Sequence, residues 1–214
     1  MPIPHPSTTL WLDALIVLPA LATALALRPW RAVGVLGPPW PWLALWVGLP
    51  LLWGADHLAR MPIVQPLSGA ALLVLCAGWP LAMLALLPTA LLTMASSGLD
   101  AAEALHRLAW LGVVPGTLAL GLGLALRRWL PQHLFIYILG RGFFATMLAC
   151  GTAGALALLL TGAPVGSEAS DVMLARGLAA SGEAFITGML VAIFVAFRPQ
   201  WLATYSDRLY LPKS

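Results

Sequence analysis

Between Met61 and Leu99 the chain runs thirty-nine residues without one Asp, Glu, Lys, Arg or His. In a water-soluble domain about a quarter of the residues are charged, so a run of this length belongs in a large core or in lipid. The rest of the sequence decides for lipid. Of 214 residues, 61% are hydrophobic and 9% charged, and the mean hydropathy is +0.91. Such a composition excludes a disordered chain, a collagen-like fibre and a disulfide-stapled secreted scaffold. A helical span uses about 20 residues, so this length holds six or seven helices and no soluble domain. The net charge of +3 comes from eleven scattered Lys and Arg, which read as topology signals and not as a nucleic-acid surface. We therefore expect an all-α, polytopic membrane bundle forming one transmembrane domain over residues 1–214.

Charge and proline mark the expected spans at about 9–27, 42–55, 67–79, 81–95, 108–126, 134–160 and 172–197, with a cytoplasmic tail over 198–214. The thirty-nine-residue run is too long for one span and long enough for two short ones, with Gly78-Trp79-Pro80 as the turn. Arg28-Pro29-Trp30-Arg31, Arg127-Arg128 and Arg198-Pro199 close the first, fifth and seventh helices. The stretch Ser96 to Arg107, with Asp100, Glu103 and His106, reads as a polar connection. With the N-terminus outside, seven basic residues fall on inner segments (Arg28, Arg31, Arg127, Arg128, Arg198, Arg208, Lys213) and three on outer ones (Arg60, Arg107, Arg176). The basic excess inside favours seven helices, N-out and C-in. The first eight residues hold no Lys or Arg, so no signal peptide is expected and the N-terminus is expected to be retained.

Few residues suggest chemistry. Cys76 and Cys150 lie far apart in apolar runs and read as small buried hydrophobes. His5, His57, His106 and His133 show no His-x₃-His spacing, and interfacial histidines are the plain reading. Neither a Walker loop, a His-Glu-x-x-His motif nor a Ser/His/Asp signature is present, so no catalytic function is expected. Arg141 and Glu183 are the deepest charges, and ionised groups inside a span are costly. They read either as an intramembrane pair or as a snorkelling Arg141 with Glu183 in a polar seam or cavity. Small residues four apart, such as Gly112 and Gly116 or Gly151 and Ala155, allow close helix approach, either within the chain or toward a partner.

The C-terminal third carries a resemblance. The segment from His133 to Phe144, His-Leu-Phe-Ile-Tyr-Ile-Leu-Gly-Arg-Gly-Phe-Phe, resembles the Leu-Phe-x-Tyr-Ile…Gly-Phe-Phe segment of the CbiM-like permeases. Glu183-Ala-Phe-Ile-Thr-Gly-Met189 and Arg198-Pro-Gln-Trp201 are similar to that family's closing helix and tail, and Gly78-Trp-Pro-Leu-Ala82 to its central turn. The resemblance implies the membrane-embedded substrate-capture component of an energy-coupling-factor ABC transporter, of the cobalt and nickel class. It further implies a transmembrane coupling subunit and cytoplasmic ATPases as partners, and the bacterial cytoplasmic (inner) membrane as location. No covalently bound cofactor is expected; a transition-metal ion would be the substrate, held by the Met1 amine and His5. The chain departs from the family where Pro2 replaces a histidine and where Gln65-Pro-Leu-Ser-Gly69 supplies no imidazole. The alternative is a membrane scaffold or assembly subunit that transports nothing.

Overall fold

A computed structural model describes residues 6–32, 40–59, 65–163 and 166–210. Its regular structure is helical, without a β-strand among the described residues. The helices are α1 (Pro6–Ala26), α2 (Trp40–Trp53), α3 (Ala55–Ala59), α4 (Ala70–Ala77), α5 (Trp79–Ser97), α6 (Ala101–Trp129), α7 (Ile136–Thr161) and α8 (Ala169–Phe197). Among the described residues five are long and apolar enough to cross a membrane: α1 from Thr9, α5, α6, α7 and α8. Their outer faces carry Trp11, Leu15, Leu18, Leu91, Leu174, Phe185 and Phe197, all exposed. Such faces suit lipid and not water. Pro19 and Pro88 lie inside α1 and α5, and the carbonyl of Pro19 accepts a hydrogen bond from the Thr23 hydroxyl at 2.7 Å.

Two elements differ from the expectation. The polar stretch before the fifth span is not a loop. Gly98, at φ 69°, ends α5 in the left-handed conformation that glycine allows. Asp100 then caps α6 by accepting the Glu103 N–H at 2.7 Å. Helix therefore begins at Ala101 and carries Glu103, His106 and Arg107 into the bundle. A π-helical stretch, Leu108–Val113, follows within the same helix.

The segment expected as a span over 67–79 contains only the eight-residue α4, about 12 Å long. Residues 65–69 ahead of it are not helical. Every residue from Ala70 to Cys76 is buried, so α4 lies at the centre of the bundle. Its neighbours meet it closely. Gly112 and Gly116 of α6 turn toward Trp53, Met83, Leu86 and Ala70, so this small-residue pair serves packing inside the chain. After α8 the chain turns back beneath α4. Ala203 N–H donates to the Cys76 carbonyl at 3.1 Å, and Thr204 N–H to the Leu75 carbonyl at 3.3 Å. These bonds satisfy carbonyls that a helix end leaves open.

Gly69 makes the entry to α4 possible. Its φ is +64°, and a Cβ there would lie 2.2 Å from Cδ2 of the fully buried Leu49. Gly69→Ala should cost about 1–2 kcal/mol from the left-handed backbone alone, with further loss from displacing Leu49. A clear fall in Tm in detergent is the expected result; an unchanged Tm contradicts this packing.

Candidate functional site

The broken segment forms part of the wall of a cavity of about 640 Å³, which is also lined by α1, α3, α6, α7 and α8. Backbone that leaves helical form inside a membrane is tolerated where protein buries it or where it lines a polar cavity. Here one side chain meets that need. Glu183 of α8, 5% exposed, accepts the Ser68 N–H on Oε2 and the Gly69 N–H on Oε1, both at 2.8 Å. The Ser68 hydroxyl accepts the Ala70 N–H at 3.1 Å, and the Ser68 carbonyl accepts the Trp53 indole N–H at 2.8 Å. The irregular stretch is thereby held by side chains more than a hundred positions away in sequence as well as by near ones.

The opposite wall is a network of charges. Arg107 of α6 donates to both oxygens of Asp56, at 2.8 and 2.7 Å, and to Glu103 Oε1 at 2.8 Å. It also donates to the Trp53 carbonyl. His57 Nε2 lies 3.1 Å from the same Glu103 oxygen. Deeper in, Asp13 of α1 is 2% exposed. It accepts from the Trp110 indole N–H at 2.8 Å and lies 3.0 Å from His106 Nδ1. A second cation, Arg176 of α8, lies along Gly154 and donates to its carbonyl. No carboxylate lies within salt-bridge distance of Arg176 among the described residues. In all, the cavity gathers five carboxylates (Asp13, Asp56, Asp100, Glu103 and Glu183) against Arg107 and Arg176. The excess of acids over arginines favours a cationic occupant.

Burial alone would raise the Asp56 carboxyl, but the Arg107 hydrogen bonds and charge, with a smaller contribution from His57, hold it below its ordinary 3.8. A carboxyl depressed in the folded state stabilises fully above its unfolded value, and that contribution is lost as the pH falls through the folded one. Asp56→Asn should therefore flatten the acid limb of the Tm against pH curve, below about pH 4. An unaltered limb would show that Asp56 carries none of the acid sensitivity.

The residues singled out from the sequence are distributed unequally around this site. Glu183 lines the cavity. Arg141 does not meet it: its Nη1 lies 3.5 Å from the Thr204 carbonyl and its guanidinium 5.6 Å from the Tyr137 ring centre. Gly123 lies against the guanidinium, where a Cβ would come within 2.8 Å of Nε. Of the two readings of these charges, the structure forms no ion pair between them: α7 directs Arg141 toward the returning tail while α8 directs Glu183 toward Ser68. Met1 and His5 lie outside the described residues. Asp13, Asp56, Glu103, His106 and Arg107 were not marked as one site by sequence reasoning. The available signals were an acid inside an apolar first helix, and the spacing of Glu103, His106, Arg107 and Trp110 along one helical face.

The fold and site together describe a helical chain with five membrane-length helices among the described residues, four of which line an acid-rich cavity. Compared with protein-family models, curated proteins and solved structures, the chain matches none.

Proposed function

We propose that this chain is the membrane-embedded substrate-capture component of an energy-coupling-factor ABC transporter, taking up a transition-metal cation of the cobalt and nickel class. The observation that carries the reading is the cavity: five carboxylates face two arginines around a non-helical segment latched by Glu183. Transporters commonly place their binding sites where a membrane helix is discontinuous. In this reading the chain has seven membrane segments, residues 65–77 supplying the third as a non-helical stretch followed by the half-helix α4. The N-terminus is outside, the tail inside, and the membrane is the bacterial inner one. The Met1 amine and His5 are proposed as ligands of the cation. The working partners are a transmembrane coupling subunit and cytoplasmic ATPases, which would supply the energy.

Affinity purification in mild detergent, with identification of co-purifying proteins and elemental analysis of wild type and His5→Ala, tests the proposal. The expected result is a coupling permease with paired ATPases, and bound Co or Ni that falls in the variant. Recovery in a stable complex lacking ATPases and metal would overturn it in favour of a scaffold subunit. Metal content equal in wild type and His5→Ala would remove His5 from the ligand set.

A further inference from the structure

The cavity contains a Glu-x-x-His pair with two atoms that no hydrogen bond uses among the described residues. Glu103 and His106 are three apart on α6 and hence on one face, and both line the cavity. His106 places Nδ1 3.0 Å from Asp13 Oδ2. With Asp13 as a carboxylate, its oxygen accepts from Nδ1–H, and the neutral imidazole then offers the Nε2 lone pair. Nε2 has no hydrogen-bond partner among the described residues. Glu103 is arranged alike: Oε1 takes Arg107 and His57, while Oε2 has no hydrogen-bond partner among the described residues. Asp13 in turn is fixed by the Trp110 indole, so the imidazole is oriented by a buried group that is itself held.

We propose that Glu103 Oε2 and His106 Nε2 form a binding site for a divalent transition cation, with Asp13 as the group that orients His106. The inference rests on the cation-capture reading above and names ligands for it beyond Met1 and His5. A ring nitrogen backed by a carboxylate is the usual form of a metal-binding histidine. Mixed imidazole and carboxylate donors favour Co²⁺, Ni²⁺, Cu²⁺ or Zn²⁺ over Mg²⁺ or Ca²⁺, which prefer oxygen alone. Asp56, His57 and Glu103 also bring donor atoms within 4.8 Å of one another. That group is the poorer site, because Arg107 donates to both Asp56 oxygens and a cation there would have to displace a guanidinium. Two protein ligands leave further positions to water, which suits a cargo that must be released.

The test is titration of the purified full chain in detergent with CoCl₂, followed by visible absorption and calorimetry, with MgCl₂ as competitor. Wild type should bind Co²⁺ with a ligand-field spectrum that Mg²⁺ does not displace. His106→Gln and Glu103→Gln, both close in shape to the originals, should lose that spectrum while the helical circular dichroism stays. Asp13→Asn should weaken binding about 10–100-fold, as loss of an outer partner does, and His57→Ala, which removes only one partner of Glu103 Oε1, should keep the ligand-field spectrum. Unchanged Co²⁺ binding by His106→Gln overturns the site while cation capture stands. Loss in His57→Ala with retention in His106→Gln overturns it in favour of the Asp56 group. A wild type that binds no Co²⁺ overturns both the site and the capture reading.

Discussion

Replacing Glu183 by alanine should be one of the two most destabilising single changes at the cavity. The carboxylate is the acceptor for two consecutive N–H groups, that of Ser68 buried and that of Gly69 part-buried. Each buried donor left without an acceptor costs about 1–3 kcal/mol, so the pair predicts a loss of about 2–6 kcal/mol. Water entering the cavity would bring the value toward the lower end. Glu183→Gln keeps one acceptor oxygen and turns an amide N–H₂ against the other donor, so its loss should be smaller but distinct. Thermal unfolding in detergent gives both numbers. Combining Glu183→Gln with Arg141→Met should add within about 0.5 kcal/mol, because the two groups share no partner. A large coupling would restore the ion pair that the structure does not contain. Equal stability of Glu183→Ala and wild type would contradict the latch itself.

The second large effect is expected at Arg107, a buried guanidinium shared between Asp56 and Glu103. Removing one member of a buried ion pair costs about 3–5 kcal/mol because its partner is left without compensation. Arg107→Met should fall at the lower end of that range, since the Asp56 and Glu103 side chains are 23% and 39% exposed. Adding Asp56→Asn to Arg107→Met should recover part of the loss by removing one stranded charge. If the double variant is as unstable as the single one plus an independent Asp56 effect, the pair does not carry the energy assigned to it.

Much of the architecture was legible because lipid enforces a simple rule: backbone groups must be satisfied within helices. The apolar lengths that end at Arg28, Arg127 and Arg198 therefore mark real helices. What the pattern concealed were the two places where a side chain replaces that rule. Hydropathy cannot separate a span over 67–79 from a non-helical stretch followed by an eight-residue helix, because the residues are equally apolar. The difference depends on a carboxylate at position 183. The charges from Asp100 to Arg107 looked like a loop for the complementary reason. Charge ordinarily means solvent, but here it faces an inner cavity and is matched by Asp13 from α1 and Asp56 from α3. Glu183 was visible as a costly residue, whereas its true partners are backbone groups that no residue pattern reveals. Arg141 was visible for the same reason and serves the opposite end of the fold.

The central claim, that the cavity takes a cation from the outer side, is tested most directly by a cysteine placed on its wall. Ala179 of α8 lines the cavity and is half-buried, and Cys76 and Cys150 can be replaced to leave Ala179→Cys as the sole thiol. A membrane-impermeant maleimide added to intact cells should label it, and saturating CoCl₂ should slow the labelling. Labelling only in inside-out vesicles, or labelling from outside at a rate indifferent to CoCl₂, would contradict the claim.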